Sequence, residues 1–187
     1  MPIRRTTVLA IAAACAGLTL AGCSSGQPAN RHPSPASTRN SAPAASASPT
    51  GATAAILSVW TGYVTTLTTM DNTARQSPDW DRYAALGAYS AETSQISLFH
   101  TEGIITPGKP VVTGVTVSTA GIGATPPTAT LTACWDSRGF QPVFASSDAP
   151  AGPPGATLAP PHLVNVALQE FDYGWRVTNF TLTEMTC

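Results

Sequence analysis

Between Ser24 and Gly51 the chain carries no large apolar side chain: 22 of these 28 residues are Ser, Ala, Pro, Thr or Gly. Such a segment cannot remove enough apolar surface from water to offset the entropy of ordering it. It therefore separates a short N-terminal piece from residues 52–187, a 136-residue stretch long enough to bury a core. As a flexible coil the linker averages about 30 Å between its ends, and Pro-rich extension carries it toward roughly 85 Å. It reads as a tether.

The piece before the linker explains what is tethered to what. Arg4 and Arg5 precede a 13-residue apolar stretch, Val8 to Leu20. A spanning helix needs roughly 20 apolar residues, so this one reads as the apolar region of a signal peptide, residues 1–22. It ends in Leu20-Ala21-Gly22-Cys23, which resembles the lipobox of bacterial lipoproteins. The resemblance implies that Cys23 becomes the lipid-modified first residue of the mature chain. Membrane lipid is then a partner, and the folded part sits outside the cell, anchored to the outer face of the plasma membrane. The competing reading is a conventional cleaved signal with Cys23 left as an ordinary thiol.

Of four cysteines, Cys15 lies in the signal region and Cys23 at its end, leaving Cys134 and Cys187. In an oxidising compartment two remaining thiols are expected to form one disulfide, closing a loop worth roughly 4 kcal/mol in the chain-entropy model. No CxxC or HxxxH spacing occurs, and His100 and His162 lack ligand spacing to either cysteine, so neither a metal nor a cofactor is expected. Nine Lys and Arg against ten Asp and Glu leave no basic footprint for nucleic acid. There is no G-x-S-x-G elbow, and Gly121-Ile122-Gly123 lacks the third glycine and following helix of a phosphate loop.

Within 52–187 the first half reads as helix. Ile56, Trp60, Tyr63 or Val64, Leu67 and Met70 recur at helical spacing over about Ala52 to Ala74. Ser77-Pro78-Asp79 predicts a second, short helix through Tyr83 to Leu86, and a third is expected from about Ser90 to Glu102, with Ile96 and Phe99 inward and Gly103 as its cap. The second half reads as strand: Val111 to Ser118, Thr128 to Asp136, a short one around Phe140 to Phe144, then His162 to Phe171 and Trp175 to Thr186 joined at Asp172-Tyr173-Gly174. The expected class is α+β, N-terminal helices packed on a bent antiparallel sheet of four to five strands.

Helices first, then an antiparallel sheet closing on Asp172-Tyr173-Gly174-Trp175-Arg176-Val177, resembles the NTF2-like (cystatin-like cone) fold. With Thr132-Ala133-Cys134-Trp135-Asp136 and terminal Cys187, it is similar to actinobacterial secreted and lipid-anchored members of that family. The resemblance implies a cone-shaped cavity; Trp60, Tyr63, Trp135 and Trp175 are the candidates to line it, and packing in the core is the preferred reading for these aromatics. Some members use the cone for isomerase or dehydratase chemistry, others for binding or dimerisation. His100, Glu102, Asp136, Asp172 and His162 are the candidate ionisable groups, and their positions at caps and turns favour a solvated role over catalysis, so no catalytic residue is assigned. The leading expectation is a noncatalytic anchored domain presented to a small apolar ligand or an envelope protein. The alternatives are a small isomerase or hydratase, or an accessory domain of an envelope or conjugation machine, which would show an exposed apolar patch on the sheet or a homodimer through it.

Overall fold

A computed structural model describes residues 49–153 and 157–187. The signal segment, Cys23 and the linker through Ser48 lie outside the described residues. Helix α1, Pro49–Thr73, starts three residues earlier than its apolar pattern, because proline suits a first turn whose N–H has no partner in any case. Ala52, Ile56, Trp60, Tyr63, Leu67 and Met70 form its buried stripe. Threonines 61, 65, 68, 69 and 73 donate their hydroxyls to carbonyls four residues back, so their polar groups are satisfied on the helix itself, while the buried apolar stripe holds this Thr-rich stretch helical. The helix stops at Ala74, φ 47°, where the Arg75 N–H donates to the Met70 carbonyl.

The short helix expected after Ser77-Pro78-Asp79 is only a single 3-10 turn, Trp80–Arg82. Tertiary contacts outcompete it. Trp80 is fully buried with its ring 4.9 Å from Tyr63, and the next backbone groups are taken by strand β6, Gly174–Thr186. The Val177 N–H donates to the Tyr83 carbonyl and the Ala85 N–H to the Val177 carbonyl, both at 2.9 Å. Released from that bridge, the chain enters helix α2, Leu86–Glu102, four residues ahead of expectation. Gly103 at φ 67° ends it, with its N–H donating to the Phe99 carbonyl.

Two sheets follow. Strands β2 (Val111–Ser118), β3 (Thr128–Asp136), β5 (His162–Phe171) and β6 form an antiparallel meander in the order β2-β3-β5-β6. The strand expected around Phe140 to Phe144 does not join it: it shortens to β4, Val143–Phe144, and pairs with β1, Ile104–Ile105, in a separate two-stranded sheet. Phe140 is instead buried and bridges Gly108, and Pro142 has no N–H to give a ladder. The alternation on β3 buries Ala129, Leu131, Ala133 and Trp135 on the face toward the helices, and Cys134 points the other way. Cys134 is bonded to Cys187 with Cα atoms 5.9 Å apart, fixing the end of the chain to β3.

Bulges bend the sheet. In β2, Gly114 (φ 61°) and Val115 together oppose Ala133. In β6, Thr178 is the extra residue between the Ala167–Asn179 and Leu168–Val177 pairs, and its hydroxyl donates to the Ala167 carbonyl. Because side chains alternate, one inserted residue reverses the inward parity. Trp175 and Val177 face the helices before the bulge, and Phe180 and Leu182 do so after it. No helix among the described residues is long and apolar enough to cross a membrane.

Candidate functional site

The parity switch in β6 leaves a cavity of about 390 Å³ between the C-terminal third of α1, α2 and the bent sheet. Tyr63, Leu67 and Asp71, spaced four residues apart, line one side of it along α1. Ala88, Glu92, Gln95 and Phe99 repeat at four, three and four residues and line a second side along α2. Trp135 and the post-bulge Phe180 and Leu182 form the sheet wall, with Phe140 and Thr106 at the end nearest β1. The Thr106 N–H donates to the Asp71 carbonyl at 2.9 Å, so the backbone of this corner is held from both sides.

Two carboxyl groups dominate the chemistry. Asp71 is only 4% exposed, and its Oδ1 has no hydrogen-bond partner; Oε1 of the half-buried Glu92 has none either. A buried acceptor without a donor costs free energy, and a buried charge costs more. Burial accordingly pushes the Asp71 carboxyl up to about 6. Burial first, and then the neighbouring Asp71 charge, push Glu92 up to about 8. Burial, followed by the fields of Glu92 and Asp71, raises the Tyr63 hydroxyl far above its ordinary value, so it stays a neutral donor. At neutral pH the pair therefore holds about one negative charge, mostly on Asp71, with Glu92 mostly protonated.

Of the four candidate lining residues, Tyr63 and Trp135 border the cavity and Trp60 and Trp175 do not. Trp60 lies behind it, its ring 5.8 Å from Tyr63, 6.4 Å from Trp135 and 6.3 Å from Phe180. It sits one turn before the opening, where helix and sheet are still in contact. Trp175 is buried on the pre-bulge part of β6, opposite Glu170.

None of the ionisable groups singled out from sequence reaches the cavity. Asp136, the last residue of β3, pairs with Arg138 at 2.6 Å, and hydrogen bonds from that arginine hold it down at about 2. His162 Nδ1 lies 3.0 Å from the Thr183 carbonyl. Glu102 and Asp172 are exposed at a helix end and a hairpin, and His100 borders a separate shallow cleft with Arg75. The carboxyl groups that do line the cavity, Asp71 and Glu92, are two that sequence reading passed over. Their signal was position: Asp71 continues the Tyr63–Leu67 line, and Glu92 has Ala88, Tyr89, Gln95 and Ile96 as helical neighbours, with no cation in reach.

No family model matches the chain, and no curated protein matches it either. Among solved structures it is similar to the crystal structure of the intermembrane space region of the chloroplast protein ARC6. The identity is 10% and the TM-score 0.46, over 67% of this chain and 91% of that one.

Proposed function

We propose that this chain is an extracytoplasmic lipoprotein, held at the outer face of the plasma membrane through Cys23, whose NTF2-like domain takes a small organic ligand into the cavity beside Asp71. The observation that carries the ligand reading is the cavity itself: about 390 Å³, walled largely by aromatic and aliphatic side chains, with an unpartnered carboxylate oxygen inside. Small-molecule sites have this size and this mixture of apolar wall and few polar groups. A core plugged by its aromatics would instead favour a tethered interaction module, and here the stacked Trp60, Tyr63 and Phe180 leave the space open. Anchoring is supported by the signal-like segment and Leu20-Ala21-Gly22-Cys23, and the Cys134–Cys187 bond suits an oxidising compartment.

Two experiments test the reading. Fractionation of cells expressing Cys23→Ala is expected to move the protein out of the membrane fraction, and retention there overturns the anchor. Native mass spectrometry of the detergent-solubilised full chain is expected to show small molecules binding, with Ala91→Trp, at the cavity rim, abolishing it. Binding untouched by Ala91→Trp places the ligand elsewhere.

A second reading, an isomerase or hydratase acting on an apolar substrate, is favoured by one observation. Two carboxyl groups poised at about 6 and about 8 share a cavity, which is the arrangement general acid–base chemistry needs near neutral pH. It predicts that a bound ligand is recovered chemically altered, with a bell-shaped pH–rate profile; recovery unchanged leaves the binding reading alone.

A further inference from the structure

Resting on the cavity being a ligand site, we propose that its ligand is a small organic cation: an ammonium group held by Asp71 and Glu92 and carried on an apolar body that packs on Tyr63, Trp135 and Phe180. Three features of the cavity lead there. First, the unsatisfied groups are acceptors. Asp71 Oδ1 lacks a donor and Asp71 is more than nine-tenths buried, so a ligand that completes the site must bring N–H or O–H groups; Glu92, mostly protonated at neutral pH, still offers its carbonyl oxygen as an acceptor.

Second, the charge is one-sided. The ionisable side chains facing the cavity are Tyr63 and Asp71 from α1 and Glu92 from α2. The sheet and the β1 end contribute only the neutral polar side chains of Thr106, Trp135 and Asn179, and no Lys, Arg or His stands among the described lining residues. An anionic ligand would enter against Asp71 with nothing to compensate it, whereas a cation supplies the missing countercharge. Third, the rest of the wall is aromatic. The Trp135 and Phe180 rings meet edge to face at 5.2 Å, and Tyr63 lies 6.2 Å from Phe180, so three aromatic rings border the same space as the carboxylates. Aromatic faces attract ammonium groups most strongly when the site is desolvated. A metal ion is poorly served by this donor set, since hard divalent cations take six or more oxygens and no group of three His, Cys, Asp or Glu occurs among the described residues.

The test uses the detergent-solubilised full chain and three probes on one phenylethyl body in calorimetry: 2-phenylethylamine, neutral 2-phenylethanol and anionic 3-phenylpropanoate. The amine is expected to bind at least tenfold more tightly than either of the others. Its affinity should rise about tenfold from pH 5 to pH 7 as Asp71 ionises, because the amine itself stays charged throughout. Asp71→Asn should cost the amine at least tenfold at pH 7 and flatten that pH dependence, while melting no lower than the native chain. Equal binding of amine and alcohol, both indifferent to Asp71→Asn, overturns the cation assignment and leaves the ligand site standing. Should none of the three bind, both fall. Displacement of the amine by calcium chloride at constant ionic strength would instead assign the carboxylates to a metal.

Discussion

Helix α1 faces the same sheet along its whole length, yet its two ends meet that sheet on different terms. From Ile56 to Tyr63 the stripe is sealed against Trp80, Val177 and the paired strands, and each buried side chain contributes about 1.5–3 kcal/mol by leaving water. Two turns further on Asp71 is just as inaccessible, but what it hides is a carboxylate with an unpartnered oxygen, so equal burial there opposes folding. The difference comes from one inserted residue on the opposite strand: Thr178 turns Phe180 and Leu182 inward and the sheet bends away. Leu67 and Met70 still bury apolar surface at this end, but beside them Asp71 brings a cost that a proton, a ligand or water would relieve.

The most direct way to break the contrast is to damage the sealed end. Trp80→Ala should lower stability by about 4 kcal/mol, because the ring is fully enclosed and its removal leaves a large cavity in the core. Urea unfolding followed by circular dichroism checks this; a loss under about 1 kcal/mol would mean the sealed end is not where the stability resides. Cys134→Ser with Cys187→Ser comes next, at about 3 kcal/mol. Cys134 adjoins Trp135 and Cys187 follows Leu182 along the chain past the bulge, so the bond braces the wall of the cavity. The double variant should therefore lose ligand affinity while still folded.

The sealed end was legible in the sequence and the open end was not, for a physical reason. A stripe such as Ile56–Trp60–Tyr63–Leu67–Met70 announces itself through periodicity, and the strands Val111–Ser118 and Thr128–Asp136 through β-branched alternation, so those elements and the two-cysteine bond agree with expectation. Periodicity also gave the alternation of β6, but it carries no mark of a bulge, and without Thr178 the wall of the cavity cannot be placed. Polar residues on an apolar stripe read as its boundary, which is how Asp71 and Glu92 escaped attention in favour of Asp136, Asp172 and the histidines. The missing helix at Ser77-Pro78-Asp79 has the same origin: its local signals are real, and the Ser77 hydroxyl does accept the Asp79 N–H, but Trp80 gains more from the core.

A smaller effect sharpens the contrast through pH. Asp71 and Glu92 both have folded-state values raised above their ordinary ones, so each favours the fold below its ordinary value, and that contribution is lost as pH rises through about 6 for Asp71 and about 8 for Glu92. The domain should thus be more stable at pH 5 than at pH 8.5, opposite to the usual behaviour of carboxylates, by on the order of 2 kcal/mol after allowing for the partial exposure of Glu92. Glu92→Gln should remove most of that slope and raise the melting temperature at pH 8.5. A melting temperature flat from pH 5 to 8.5 would show that water or relaxation already satisfies both carboxylates.

The smallest expected effect belongs to the β5–β6 hairpin, which lies outside the cavity lining. Phe171 pairs directly with Gly174 across Asp172-Tyr173, and Gly174 sits at φ 103°, where a side chain strains the backbone. Space is not limiting, since an added Cβ would meet nothing nearer than Arg176 Nη1 at 3.7 Å. The cost of Gly174→Val is therefore purely conformational, about 1 to 2 kcal/mol, and β-branching makes valine a severe choice. The turn's other supports, Phe171 stacked on Tyr173 at 5.4 Å and Arg176 over the Tyr173 ring at 4.7 Å, remain in place, so the hairpin should persist rather than unravel. A lower melting temperature with unchanged amine affinity is the expected pair of results. If affinity falls along with stability, the hairpin and the cavity wall move as one unit, and the boundary between the sealed and open regions lies before Gly174 rather than at Thr178.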